Sequence, residues 1–300
     1  MNQHKATSSA LLRGILSTTL KLTVKPLFAM NTPTWLRRQG LEIASLSTFN
    51  ARGVKRIKVD LNGVPSVRFG NPTADKAILY LHGGAYLTGS ANTHAALTTH
   101  LAQEADAVVF APNYRLAPEH PFPAARRDAF MAYKALLELG FAPNQITVAG
   151  DSAGGGLTLS LLLYLKEQDM PLPEKMILIS PWADLTHTHA AASRQPDETM
   201  LSWVGLNSAA KRYAGRQPVS HPGISPALTS LKGMPPALII VGTEEILLTD
   251  VRILAEKLKR EKVPTDLRIY ENMWHVFPLH TRVLQEADHA VQTMANFVRQ

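Results

Sequence analysis

The apolar positions of this chain form short continuous runs that alternate with stretches of helical periodicity. Such runs are typical of strands buried on both faces of a sheet. They predict strands over Ala77–Leu81, Ala107–Ala111, Ile146–Ala149, Met176–Ile179, Ala237–Val241 and Leu267–Tyr270. The stretches between them predict helices over Thr93–Ala105, Ala124–Leu139, Gly154–Glu167, Asp250–Glu261 and Thr281–Val298. This alternation predicts an α/β fold with a mostly parallel sheet covered by helices on both faces.

The pattern differs at the N-terminus. The segment RIKVDLNGVPSVRFG alternates and turns at Asn62-Gly63, which predicts a β-hairpin. Residues 1–50 show helical spacing in two pieces, broken near Pro26 and Asn31-Thr32-Pro33. Residues 186–226 are less regular and are predicted to form an excursion over the sheet. We expect one structural domain, with a helical cap over 1–50 and the α/β body over 51–300.

The length and composition favour a protein with a large core and no cysteine chemistry. The chain has 300 residues, of which 45% are hydrophobic, and it contains no cysteine. A chain of this size buries enough apolar surface without disulfides. The lack of cysteine excludes thiolate metal sites, iron–sulfur clusters and a cysteine nucleophile.

The basic residues are scattered. The 31 basic and 24 acidic residues give a net charge of +7. None of the basic clusters is interleaved with aromatic residues in the way of a nucleic-acid-binding surface. The clusters are Arg37-Arg38, Lys55-Arg56-Lys58, Arg126-Arg127 and Lys257-Lys259-Arg260. We therefore interpret the charge as a solvated surface and expect no nucleic-acid partner.

The N-terminal segment contains a helical stripe of leucine and isoleucine that basic residues interrupt. Its apolar members are Leu11, Leu12, Ile15, Leu16 and Leu20. Arg13 and Lys21 break the apolar run that a signal peptide or a spanning helix needs, so we expect a cytoplasmic location. A helix packed on the protein's own body is the favoured interpretation. A membrane-surface helix is the alternative that the pattern leaves open.

The strongest chemical signal is the sequence Gly150-Asp151-Ser152-Ala153-Gly154. It follows the predicted strand QITVA and precedes a helical run, which is the context of a nucleophile on a sharp turn. The two glycines are needed because side chains there would collide with the neighbouring strand or helix. The amides at the start of the following helix point toward a developing negative charge.

A second signal is His82-Gly83-Gly84-Ala85-Tyr86, directly after the strand AILYL. Consecutive glycines leave backbone N–H groups free to bind a substrate oxygen. Gly83 and Gly84, with the amide of Ala153, would supply the donors of an oxyanion hole, and the Ala85 amide is a substitute. We interpret His82 as structural, orienting this loop.

The base and the acid follow from chain order. In enzymes with such a nucleophile turn, the acid and then the histidine follow the serine along the chain. His275 comes after the strand LRIY and before the final helix, whereas His280 and His289 are predicted on a solvated face. Three carboxylates compete for the acid: Glu244, Glu245 and Asp250. Asp250 better suits the N-terminus of the following helix.

These motifs resemble the hormone-sensitive-lipase-like branch of the α/β-hydrolases, also called bacterial lipase family IV. The resemblance is carried by HGGAY, YRLAPEHPFPAA, GDSAGG, SPW, VGTEEILL and a late WH, in that order, over more than four-fifths of the chain. It implies Ser152 as nucleophile, His275 as base and Gly83, Gly84 and Ala153 as oxyanion donors. The usual Asp-Pro-Leu run falls onto Glu245-Ile246-Leu247, so Glu245 is the expected acid, with Glu244 as the alternative.

The resemblance implies a serine carboxylesterase for short- to medium-chain acyl esters, acting through an acyl-enzyme without a metal or organic cofactor. Tyr86, Trp182, Trp203 and Phe277 are candidate walls of the substrate pocket, although a core position is as well supported for each. A lactonase, a deacetylase of small esters or a non-catalytic binding protein are alternatives. A homodimer is an open alternative too, because members of the family often dimerise.

Overall fold

The computed structural model describes residues 2–29, 32–188 and 198–300, and a nine-stranded sheet forms its centre. The spatial order of the strands is β1-β9-β8-β7-β6-β4-β5-β3-β2. β3 runs antiparallel to both β2 and β5, and all other neighbours are parallel. The strands are β1 (Asn2–His4), β2 (Arg56–Leu61), β3 (Val64–Phe69), β4 (Ala77–Leu81), β5 (Val108–Pro112), β6 (Ile146–Asp151), β7 (Lys175–Ile179), β8 (Ala237–Gly242) and β9 (Thr265–Tyr270).

Helices cover both faces of this sheet. They are α1 (Ala10–Thr23), α2 (Thr34–Ser45), α3 (Ala95–Ala105), α4 (Ala124–Glu138), α5 (Ala153–Glu167), α6 (Trp203–Ala214), α7 (Leu248–Arg260) and α8 (Gln285–Arg299). Buried side chains of α3 and α8 share one apolar cluster with the sheet. Those of α4, α5 and α7 share a second cluster on the opposite face. The predicted α/β-hydrolase fold is confirmed.

Most of the predicted parallel strands are buried along their whole length, and β9, with three half-buried residues, is the exception. Every residue of β4, β5, β6 and β7 is buried, as expected for strands between two helical layers. The six predicted parallel strands agree with the structure to within two residues at each end. The hairpin β2–β3 turns at Asn62-Gly63, as predicted.

Three elements differ from the sequence-based expectation. β1 is a strand that pairs in parallel with β9, although residues 1–50 showed only helical spacing. Its three residues are polar, so an apolar pattern could not reveal it. α6 lies within the segment predicted as irregular, where the Ser202 side chain caps the helix by accepting from Gly205 N. The predicted helix over Thr281–Val298 begins later, at Gln285, after a 3₁₀ turn over Phe277–His280.

The N-terminal segment packs on the body through both of its helices. α1 and α2 are joined by a 3₁₀ turn over Lys25–Phe28, and Leu12, Leu16 and Leu20 pack against the core. The division into a cap (1–50) and a body (51–300) stays a prediction. None of the helices in the described part of the chain is long and apolar enough to cross a membrane. Part of the predicted excursion, residues 189–197, lies outside the described residues.

Candidate active site

Ser152 lies on the sharp turn between β6 and α5. Its backbone has φ 52° and ψ −120°, a strained conformation for a residue with a side chain. Both neighbouring glycines are required sterically. A Cβ at Gly150 would overlap the Gly154 carbonyl, and a Cβ at Gly154 would overlap the carbonyl of Leu81 in β4. The turn therefore holds the nucleophile candidate in the geometry that its sequence predicts.

A carboxylate and an imidazole meet beyond the carboxyl ends of β8 and β9. Glu245 Oε2 lies 2.8 Å from His275 Nδ1. Glu245 is fully buried, with an exposed fraction of 0%. Its Oε1 accepts from Ser180 Oγ at 2.7 Å and from Gly242 N at 2.6 Å. Of the three carboxylates that competed for this role, the structure thus pairs Glu245 with the histidine.

The other two carboxylates face elsewhere. Glu244 is exposed, and its side chain accepts a long hydrogen bond from Thr243 Oγ1 at 3.4 Å. Asp250 lies in the first turn of α7, where a negative charge interacts favourably with the helix dipole. Neither is hydrogen-bonded to His275.

His275 is hydrogen-bonded through one ring nitrogen and leaves its second ring nitrogen without a partner among the described residues. Burial alone would lower the pKa of His275, but the hydrogen bond and charge of Glu245 outweigh it and raise the pKa. Nδ1 faces the carboxylate, so Nε2 is the nitrogen left to exchange a proton. This Nε2 is buried and has no hydrogen-bond partner among the described residues. Ser152 and His275 line the same cavity.

The oxyanion loop differs from expectation at Gly83. The Gly83 N–H donates to Asp151 Oδ1 at 3.0 Å, so it is already occupied by a carboxylate of the protein. The amides of Gly84 and Ala85 make no hydrogen bond to any other residue that the structure describes. Ala153 is the first residue of α5, where a helix amide has no intrahelical acceptor. The backbone amides without an acceptor in the described part of the chain are therefore those of Gly84, Ala85 and Ala153, and the hydrogen bond to Asp151 fixes the adjacent Gly83 peptide.

Backbone strain accompanies this loop. Gly84 has φ +117°, and a Cβ there would overlap the Thr88 carbonyl. Ala85 and Tyr86 also have positive φ, at 55° and 61°. Two consecutive non-glycine residues in this region cost conformational free energy, which the surrounding contacts must offset.

A buried polar network behind the loop was missed from the sequence. Asp151 accepts from Tyr80 Oη at 2.8 Å and pairs with His94 Nε2 at 3.2 Å, besides holding Gly83. Burial alone would raise the pKa of Asp151, but the charge and hydrogen bond of His94 outweigh it and lower the pKa. Asp151 raises the pKa of His94 in turn, against the opposing effect of burial. The pair fixes the orientation of the Gly83 peptide.

His82 is structural in its contacts, as predicted. Its ring stacks on Tyr114 with the ring centroids 4.2 Å apart. Its Nδ1 lies 2.8 Å from the Gly83 carbonyl oxygen, to which only a protonated nitrogen can donate. Burial lowers the pKa of His82 to about 3, so the ring is neutral.

Two further residues near the acid were also missed. Ser180, part of the SPW motif, connects Glu245 to the Val276 amide, which donates to its Oγ at 3.2 Å. Glu198 is buried and accepts from Ile246 N at 3.1 Å. Burial raises the pKa of Glu198 to about 7, and its charge raises the pKa of His275. A lone glutamate in a polar stretch gives no sequence signal of such a position.

The cavity that contains Ser152 and His275 has a volume of about 600 Å³. Its walls are mostly apolar side chains of the N-terminal helices and of the segments after Met200 and His275. The cap contributes Leu16, Leu20, Val24, Leu27, Leu41 and Ala44, among others. A cavity of this size and character suits a small organic ligand.

Of the aromatic residues predicted as pocket walls, Tyr86, Trp182 and Phe277 lie in the core and Trp203 is half-buried against it. The ring of Tyr86 stacks on Tyr213 with centroids 3.6 Å apart, and Trp182 donates its indole N–H to His187 at 3.0 Å. Trp203 and Phe277 do not line the cavity either. Aromatic side chains satisfy burial in either place, so the sequence could not separate these positions.

His280 also differs from its predicted solvated position. It lies in the 3₁₀ turn before α8, is half-buried and lines the cavity, and burial lowers its pKa to about 4. His289 is exposed on α8, as predicted. Across residues 2–29, 32–188 and 198–300, no three His, Asp or Glu side chains come together in a way that could hold a metal ion.

Comparisons with known proteins agree with this geometry. Residues 78–279 match the model of a family described as having an alpha/beta hydrolase fold. An acetyl-hydrolase from Streptomyces hygroscopicus is 41% identical over 225 residues, which cover 75% of each chain. An esterase from Acinetobacter venetianus is 39% identical over 228 residues, again 75% of each chain.

A solved structure extends the similarity to nearly the whole chain. A hormone-sensitive lipase from a metagenome library superposes with a TM-score of 0.91 and 34% identity, covering 99% of both chains. The chain therefore belongs to the hormone-sensitive-lipase-like branch of the α/β-hydrolases, and it is a carboxylic ester hydrolase.

Proposed function

We propose that the chain is a serine carboxylesterase that cleaves short- to medium-chain acyl esters through an acyl-enzyme. The observation that carries the proposal is the Glu245–His275 pair, in which His275 Nε2 has no partner among the described residues, together with the cavity that His275 and Ser152 both line. This is the arrangement by which a base activates a serine hydroxyl.

In the proposed reaction, His275 Nε2 takes the Ser152 hydroxyl proton as Oγ attacks the ester carbonyl carbon. The imidazolium then gives this proton to the leaving alkoxide as the ester C–O bond breaks. Water repeats the sequence on the acyl-enzyme and releases the acid. Glu245 keeps the Nδ1 proton on His275 and stabilises the imidazolium by its charge.

The amides of Gly84, Ala85 and Ala153 are the proposed oxyanion donors. Each donor of this kind contributes about 3 kcal/mol of transition-state stabilisation in acyl transfer. The Asp151 contact to Gly83 supports this assignment because it fixes the peptide that precedes the two loop donors. The strained φ values of the loop keep those donors preorganised.

The proposed substrate range rests on the cavity and on one relative. A largely apolar cavity of about 600 Å³ accommodates a short or medium acyl chain. The relative from Streptomyces hygroscopicus is named for removing acetyl groups, a short acyl group. Both support preference for small acyl esters over long ones.

The test is hydrolysis of p-nitrophenyl acetate, butyrate, octanoate and palmitate by the wild type and by Ser152→Ala. We expect turnover that peaks at a short or medium chain and is lost in the variant. The circular dichroism spectrum of the variant controls for folding. A folded wild type without turnover on all four esters, or an active Ser152→Ala variant, would contradict the proposal.

Hydrolysis of a small acetylated metabolite is a second candidate, favoured by the name of the 41% identical relative. This reaction would use the same residues as the proposed esterase reaction, and its leaving group would be the alcohol or amine of the metabolite. A panel of acetylated sugars, alcohols and amines, compared with p-nitrophenyl acetate, separates the two by kcat/KM. Cytoplasmic location and a homodimer stay predictions, to be checked by cell fractionation and light scattering.

A further inference from the structure

The outer faces of α1 and α2 carry large apolar side chains that nothing in the described chain covers. On α1, Leu11, Ile15 and Leu22 lie on one face, and Leu22 is 72% exposed. On α2 and at its C-cap, Trp35, Ile43 and Leu46 form a similar stripe, and Leu46 is 83% exposed. We call these six residues the cap face. Exposed apolar clusters of this kind mark surfaces that bind another molecule.

The same helices are apolar on their inner sides as well. Leu16 and Leu20 of α1, with Leu41 and Ala44 of α2, line the catalytic cavity. Packing on the protein's own body accounts for this inner side. It leaves the outer side unexplained, because a helix that only covers a core has a polar outer face.

The cavity opens to solvent through the cap. Among the described residues that line it, those classed as exposed all belong to the N-terminal segment: Thr19, Thr23, Ile43 and Ser47. Ile43 belongs both to the cavity wall and to the cap face. The entrance to the active site is therefore bordered by the N-terminal segment, and Ile43 connects this entrance to the cap face.

Charge is concentrated in the same segment. Residues 1–50 contain six basic residues and one acidic residue, so they carry +5 of the net charge of +7. Arg37 is buried, and Arg13 and Arg38 form ion pairs with Glu286 and Glu119. Lys5 and Lys21 are exposed and are the charges that can face a partner. Two copies of this face brought together would repel each other, whereas an anionic surface would attract it. An apolar stripe with basic residues is the composition of helices that lie in a lipid interface.

We propose that the cap face docks on an anionic lipid surface and places the cavity entrance against it. The apolar side chains enter the boundary of headgroups and acyl chains, and the basic residues pair with anionic headgroups. Amphipathic esters held in that surface then reach Ser152 between α1 and α2. This route for the substrate rests on the proposed esterase function, whereas the docking itself does not.

The experiment is flotation of the full chain with vesicles of equal parts phosphatidylglycerol and phosphatidylcholine. The variant carries Leu11→Ser, Leu22→Ser and Trp35→Ser, none of which lines the cavity. The matched control is Leu139→Ser, a leucine that is 60% exposed at the end of α4. A second variant, with Lys5→Gln and Lys21→Gln, removes charge and leaves the apolar residues in place.

We expect the wild type and Leu139→Ser to float, and the triple variant to bind about tenfold or more weakly. The charge variant should lose binding to anionic vesicles, and added salt should weaken wild-type binding. Turnover of soluble p-nitrophenyl butyrate should be unchanged in all variants, which shows that they are folded. Ser152→Ala should float like the wild type.

Three outcomes would overturn the proposal. The first is a wild type that stays out of the vesicle fraction, and the second is a triple variant that binds as well as the wild type. The third is a dimer in light scattering that the triple variant converts to a monomer, which would assign the cap face to a second copy of the chain. A wild type that floats but does not hydrolyse p-nitrophenyl butyrate would instead refute the proposed esterase function alone.

Discussion

Replacing Glu245 by Gln removes one negative charge and keeps the shape of the side chain. Three donors point at the two carboxylate oxygens: Ser180 Oγ and Gly242 N at Oε1, and His275 Nδ1 at Oε2. A glutamine offers one oxygen and one NH₂ group. If the glutamine oxygen takes the position of Oε1 and accepts from Ser180 and Gly242, the NH₂ group faces His275. The opposite orientation would set the NH₂ group against two donors, so it is disfavoured.

This orientation predicts the wrong tautomer of His275. With an NH₂ group donating to Nδ1, the ring proton moves to Nε2, which can then no longer take the proton of Ser152. The equivalent charge-neutral change in a serine–histidine–acid triad lowers kcat by about 10⁴-fold. That loss corresponds to about 5 kcal/mol of transition-state stabilisation. KM should change little, because Glu245 does not line the cavity.

The assay is kcat and KM for p-nitrophenyl butyrate with the Glu245→Gln and Glu244→Gln variants. Glu244 is the matched control, since it is the adjacent glutamate and is exposed. We expect Glu244→Gln to stay within about twofold of the wild type, as for most surface substitutions. A folded Glu245→Gln variant that keeps more than a tenth of wild-type kcat would refute the tautomer argument. A Glu244→Gln variant that is crippled would reassign the acid.

Three further changes should have distinct effects. Ser180→Ala removes a donor to the Glu245 carboxylate, and we expect kcat to fall about tenfold in the same assay; an unchanged kcat would show that the acid needs no such support. The charge of Glu198 helps to raise the pKa of His275. Glu198→Gln should therefore move the acidic limb of the kcat/KM–pH profile to lower pH, and a limb that stays in place or moves to higher pH would contradict this role. Leu157 is fully buried in α5, so Leu157→Ala should lower the free energy of unfolding by about 2–5 kcal/mol in urea melts. A variant as stable as the wild type would contradict this.

The parts of the molecule that were predictable from sequence are those that local chemistry determines. β6, the turn at Ser152 and α5 are contiguous, and their glycines are required by collisions within a few residues or with the next strand. The buried strands were predictable because most of their residues are apolar and contiguous. Chain order alone brought His275 and the two adjacent glutamates into one region.

The remaining features depend on contacts between distant residues. Gly83 was predicted as an oxyanion donor, but its amide points to Asp151, which is 68 residues away in the chain. The same carboxylate meets His94 through a contact that no spacing rule describes. Tyr86 and Trp182 were assigned to the pocket because large aromatic residues suit a ligand as well as a core. Such choices are decided by packing, which the linear pattern does not contain.

The short strand β1 has a consequence for substrate exchange. Its pairing with β9 fixes the start of the N-terminal segment to the sheet, and the amides of Thr7 and Ser8 donate to Glu286 of α8. The other end of the segment continues into β2, which is also part of the sheet. Because both ends are anchored, the cap has no free end about which it could swing open as a hinged lid. Access to Ser152 is then controlled by side-chain rotation and small shifts of α1 and α2, so conformational gating should be fast compared with the opening of a domain.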